Sequence, residues 1–113
     1  MKHTIAGLVC AVAVSSVPLT AAWAESPAPE KAAVCTSCHG ERGAKPIAPT
    51  YPMLAGQYAN YLAQALHEYK DGQRKNPIMA AQAATLSDAD IKALAHYFSE
   101  QQGALYTPTI EQK

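Results

Sequence analysis

The sequence predicts an all-α fold of three main helices joined by long loops. Two stretches, residues 57–70 and 88–102, repeat apolar residues at helical spacing, while none alternates apolar and polar residues as a half-buried strand would. The Pro and Gly residues fall mostly between these periodic stretches, so the connections are irregular. At 113 residues the chain suffices for one small domain and not for two. Its formal net charge of zero excludes a general basic surface for nucleic acid.

Residues 1–24 read as a segment outside the fold. Lys2 and His3 make a short positive start, residues 5–14 form an apolar run, and Ala22-Trp23-Ala24 sets small residues around a cut. This is the pattern of a secretory signal peptide, with cleavage expected after Ala24. The apolar run is short for a bilayer span, and an uncleaved anchor is the alternative. Cys10 lies inside the run and would leave with it. The domain is then residues 25–113, with Cys35 and Cys38 as its only cysteines and no stable membrane insertion.

Residues 25–30, with Pro27 and Pro29, read as an extended lead-in to a short helix over 30–38. That helix carries Cys35-Thr36-Ser37-Cys38-His39, and Gly40 ends it. Positions i, i+3 and i+4 share one helix face, so both sulfurs and the imidazole point the same way. This suits covalent attachment of haem: two thiols add to two vinyl groups, and the histidine binds the iron from one side. A dithiol redox motif would want a βαβ context, which is missing. Zinc would need a second ligand pair, and Cys10 is the only other cysteine. The expected cofactor is one haem c with its iron.

The next stretch, 41–56, carries Gly43, Pro46, Pro49, Pro52 and Gly56, a density of breakers that predicts a loop wrapped on the haem edge. Over 57–70, Tyr58, Tyr61, Leu62, Ala65, Leu66 and Tyr69 hold the helical spacing without a gap, and Asp71-Gly72 closes the helix. Residues 73–85 read as another connector. Ser87 with Asp90 three positions on is a capping box, opening a helix that buries Ile91, Leu94, Ala95 and Phe98 and ends at Gly103. The tail beyond Leu105 has no signal. Loops this long in so small a domain need something to pack on, and a haem supplies it.

The second axial ligand decides the function. The candidates are His67, His96, Met53 and Met79. At about 100° per residue, His67 falls roughly opposite the stripe of its helix and His96 roughly 150° from the centre of its own, so both are expected to face solvent. Met79, in a loop after Asn76-Pro77, can cross the haem face with a soft thioether. Met53 is the second candidate, and core packing is the ordinary role of either.

The chain resembles the class I c-type cytochromes, nearest to the cytochrome c4/c553-like group. The residues that carry the likeness are Cys35 to Gly40, Tyr51-Pro52-Met53-Leu54-Ala55-Gly56-Gln57, Tyr61-Leu62, Leu66, Arg74 and Asn76-Pro77-Ile78-Met79. Leu86-Ser87-Asp88, Asp90-Ile91, Leu94-Ala95 and Tyr97-Phe98 extend it over nearly all of residues 25–113. The resemblance implies the small cytochrome c fold around one covalently bound haem, with the distal methionine at Met79. Cytochrome c4 proper is a two-haem tandem, so this chain with its single motif resembles one half. The resemblance also implies a proline carbonyl accepting from His39, with Pro49 first and Pro46 second as candidates, and a haem-propionate contact for Arg74. A solvated charge pair with Lys75 is the ordinary alternative for Arg74.

These features predict an electron carrier and no enzyme. With both axial positions filled, the iron has no place for substrate. The expected setting is the periplasm of a Gram-negative bacterium, with redox proteins as partners. Alternatives are a haem subunit of a larger dehydrogenase or oxidase complex, and a peroxidase or gas-binding haem with an open sixth position.

Overall fold

In a computed structural model, which describes residues 27–104, four helices and a short 3-10 turn are joined by loops, and no strand occurs among the described residues. The signal segment 1–24, Cys10 and the tail beyond Leu105 lie outside the described residues. The helices are α1, Ala32–His39; α2, Ala59–Lys70; α3, Pro77–Ala84; and α4, Asp88–Glu100. The all-α expectation holds, with one correction in number: four helices stand where three main ones were expected.

Helix α1 starts at Ala32 and ends at His39, so the whole Cys-x-x-Cys-His motif lies on it. Gly40 stops it with φ +82° and ψ 168°, and its N–H reaches back to the Thr36 carbonyl at 2.9 Å. A side chain there would overlap the Lys45 carbonyl oxygen, so only glycine fits.

The stretch 41–56 is mostly loop, apart from the 3-10 turn Glu41–Gly43. Its anchor is the Gly43 carbonyl, which accepts from Leu54 N–H at 2.8 Å and Ala55 N–H at 3.1 Å. The Gly56 N–H then bonds the Phe98 carbonyl of α4 at 3.1 Å, tying the loop's end to the last helix.

Helix α2 begins two residues later than its periodicity suggested, after Tyr58. Leu62 is its only buried residue, while Tyr61, Ala65, Leu66 and Tyr69 border a cleft.

The expected connector 73–85 contains α3. Asn76 caps it: its side-chain oxygen accepts from Ile78 N–H at 3.0 Å and Met79 N–H at 3.1 Å, and Pro77 fills the first helical position. The alanines that follow are strong helix formers. Periodicity missed this helix because only Ala83 is buried. Met79 therefore sits on the first turn of a helix, and not in a loop. Asn76→Ala is expected to cost about 1 kcal/mol of stability, seen as a lower Tm, and to loosen the turn that carries Met79.

Helix α4 opens with the expected capping box. Asp90 N–H donates to Ser87 Oγ at 3.1 Å, and Ser87 N–H to the Asp90 carboxylate at 2.8 Å. It ends at Glu100, with Gln101 as its cap, short of Gly103. Ile91, Leu94, Ala95, Tyr97 and Phe98 form the core with Ala32 of α1, Leu62 of α2 and Leu86.

The Asp90 carboxylate also binds Lys31 Nζ at 2.6 Å, and Lys31 reaches the Thr85 carbonyl at 3.2 Å, joining the starts of α1 and α4. Lys31 first, then the Ser87 donors, lower the Asp90 pKa from 3.8 to about 2. Because the folded value lies below the unfolded one, this contribution is complete above about pH 4 and is lost as pH falls through about 2. Asp90→Asn is expected to lower Tm by a few degrees at neutral pH and to flatten the Tm profile between those pH values.

Candidate functional site: a haem cleft beside the first helix

A cleft of about 380 Å³ opens between α1, the 41–56 loop, α2, α3 and α4. That volume falls within the ~300–1,000 Å³ typical of cofactor sites. Helix α1 presents Cys35, Cys38 and His39 to it, spaced by the helix itself. Both thiols are free. Burial raises the Cys35 pKa, and its sulfur lies 3.7 Å from the Lys31 carbonyl oxygen.

His39 is 6 % exposed, and its Nδ1 lies 2.7 Å from the Pro52 carbonyl oxygen. A carbonyl can only accept, so Nδ1 carries the hydrogen and Nε2 keeps its lone pair for a metal. The acceptor is thus Pro52, in place of the expected Pro49 or Pro46. Pro49 is exposed at the surface of the same loop. The loop brings its third proline to the ring because Leu54 and Ala55, just beyond, are clamped to Gly43. Several prolines in one loop look alike in sequence, and no local signal distinguishes them. The Tyr51 ring meets the imidazole edge-on, with centroids 6.2 Å apart at 74°.

Met79 and Met53 both border the cleft, half-buried. The two remaining histidines of the described residues do not border it. His67 lies 3.9 Å from the Asp88 carboxylate, and His96 lies 3.3 Å from the Glu100 carboxylate on the outer side of α4.

Arg74 also borders the cleft. Its guanidinium carbon stands 5.1 Å from the Tyr69 ring centre and 5.9 Å from that of Tyr61. Its pKa is raised, first by the Tyr61 hydroxyl and then by Tyr69. The sequence singled out Arg74 and missed this tyrosine setting, although Tyr61 and Tyr69 lie on the stripe it identified.

The residues present fit a covalently held haem. Two thiols and an imidazole with a free lone pair share one wall, and the apolar stripe of α2, buried by protein only at Leu62, faces them across the same cleft. A macrocycle there would cover the rest of that stripe.

The cytochrome c family profile matches residues 31–102. The chain is 46 % identical over 72 residues to a cytochrome c4 of Pseudomonas aeruginosa, covering 64 % of this chain and 35 % of that protein. It is 43 % identical over 76 residues to cytochrome c-554(548) of Halomonas halodenitrificans, covering 65 % of this chain and 90 % of that one. It is 45 % identical over 80 residues to a thiosulfate dehydrogenase electron acceptor of Thiomonas intermedia, covering 71 % of this chain and 36 % of the relative. In three dimensions it resembles the reduced cytochrome c4 of Pseudomonas stutzeri, with a TM-score of 0.56 at 38 % identity over 60 % of this chain and 38 % of that one. The chain therefore spans about a third of the longer relatives and most of the shorter one. It belongs to the cytochrome c family, whose members hold haem c by covalent bonds.

Proposed function

We propose that the protein is an electron carrier working in the periplasm, passing single electrons between redox proteins through a haem ligated by His39 and Met79. The observation that carries this reading is the bond from His39 Nδ1 to the Pro52 carbonyl, which leaves Nε2 free for iron beside a cleft that Met79 also borders. When bound, haem c supplies a one-electron couple between ferric and ferrous iron.

Each residue has a physical task. Cys35 and Cys38 would tether the macrocycle to one face of α1. Pro52 keeps the imidazole in one tautomer and orientation and raises its basicity. The Met79 thioether, a soft donor, would favour ferrous iron and raise the potential. The apolar side chains of α2 and α4 exclude water. Arg74 offers a fixed positive charge to a propionate. With His39 and Met79 both given to the iron, no position would be open to substrate, which favours a carrier over an enzyme.

Residues 1–24 would direct export and be removed, leaving the haem-binding domain within 25–113. Among the described residues, no helix is long and apolar enough to cross a membrane. The name of the Thiomonas relative, a thiosulfate dehydrogenase electron acceptor, supports a second form of the same chemistry, in which the electron donor is a dehydrogenase.

The isolated protein is expected to show a mass equal to residues 25–113 plus one haem, a low-spin spectrum in both oxidation states, and no carbon monoxide binding when ferrous at neutral pH. Ready carbon monoxide binding would mean an open iron and overturn the carrier reading.

A further inference from the structure

Arg74 is held at both its backbone and its side chain in the turn after α2. Gly72, at φ +74°, turns the chain after α2, and the Arg74 N–H bonds back to the Glu68 carbonyl at 3.0 Å. The side chain is thereby laid along α2. Its guanidinium is flanked by the Tyr61 and Tyr69 rings, two helical turns apart. Both Nη atoms stand 3.4 Å from the Tyr61 hydroxyl oxygen. That distance is long for a hydrogen bond, so the Tyr61 hydroxyl holds the guanidinium weakly and the Tyr69 ring, 5.1 Å from the guanidinium carbon, adds a cation–π attraction. All three residues border the cleft.

We propose that Tyr61 and Tyr69 are positioning residues that aim the Arg74 charge at the haem cleft and thereby set the reduction potential. This rests on the electron-carrier reading above.

The physical reason is direct. Reduction makes the iron centre one charge less positive, so a nearby fixed cation favours the ferrous form. An arginine free on its long stem would spend its time in water, where its field is screened. The Tyr61 hydroxyl, the Tyr69 ring and a pinned backbone restrict that freedom without adding a counter-charge. A carboxylate partner would hold the arginine as well, but would cancel its field. The two tyrosines hold it without adding a counter-charge of their own, so what opposes its field is the nearby Glu68 carboxylate and not its holders. The guanidinium also stays cationic throughout the usable pH range, so its contribution does not titrate.

The test is a mutant cycle on the haem-loaded protein, read by equilibrium redox titration. Arg74→Gln is expected to lower the ferrous-to-ferric ratio at a fixed poise about tenfold, equal to about 59 mV for one electron. Tyr61→Phe combined with Tyr69→Leu is expected to produce about a third to a half of that same loss on a logarithmic scale while Arg74 is present, and almost none once Arg74 is already Gln. Arg74→Lys keeps the charge but loses the planar stacking, and is expected to fall between wild type and Arg74→Gln. The wild-type shift on adding salt should be smaller than that of the tyrosine double variant.

An equal effect of the tyrosine changes in both backgrounds would overturn the proposal, making the rings simple walls of the cleft. An unchanged potential in Arg74→Gln would overturn it too. A wild-type protein with no reversible one-electron couple would instead overturn the electron-carrier reading. Spectra of every variant, recorded before titration, confirm that the axial ligands are intact.

Discussion

Met79→Ala is expected to open the sixth position of the iron. The ferric spectrum should change from low to high spin, ferrous protein should bind carbon monoxide, and the potential should fall by on the order of 100 mV. The expectation rests on where Met79 lies. Asn76 accepts from the N–H groups of both Ile78 and Met79, fixing the turn that carries the side chain at the cleft. His67 and His96 do not border the cleft, so no histidine of the described residues is placed to take over. Met53 is the control, because it borders the same cleft. Met53→Ala should leave the low-spin spectrum and lose only packing. An unchanged spectrum in Met79→Ala, with carbon monoxide binding in Met53→Ala, would reverse the assignment.

Gly40→Ala is expected to have the largest effect on the fold. Gly40 combines a φ of +82° with a backbone so close to Lys45 that a Cβ would overlap its carbonyl oxygen. The strain alone costs about 1–3 kcal/mol, and relieving the overlap means moving the loop that begins there. A loss of at least ~3 kcal/mol is expected, a large share of the ~5–15 kcal/mol that holds a domain together. For a domain of this size that lowers Tm by roughly 15 °C or more. Because Gly40 directly follows His39, the variant should also incorporate haem poorly. Gly72→Ala serves as a comparison: it has a similar φ, +74°, but open space around its Cβ. It should lose only the backbone strain, about 1 kcal/mol. Equal Tm values for the two variants would show that the contact with Lys45 is unimportant.

Much of the site can be read along the chain because its parts are local. Cys35, Cys38 and His39 lie within five residues, and helical geometry alone brings them to one face. The capping box of Ser87 and Asp90 is equally local, and the structure has both of its bonds. The outward placement of His67 and His96 follows from angles around a single helix. Helix α3 was also legible in principle, from Asn76 as cap, Pro77 at the first position and the alanines after it. Apolar periodicity does not reveal it, because a helix that buries one alanine has almost no stripe.

The sequence by itself determined the all-α class, the haem motif and the two long helices, because each depends on side-chain spacing within one segment. Only the tertiary structure decided which proline carbonyl meets His39, and it chose Pro52 over Pro49. That contact spans thirteen residues of loop, and it depends on Gly43 clamping Leu54 and Ala55 and on Gly56 bonding Phe98. It also decided that Arg74 lies between Tyr61 and Tyr69, through the turn at Gly72 and the bond back to Glu68. Such pairings are set by how loops close over a packed core, and loop closure leaves no period in the sequence.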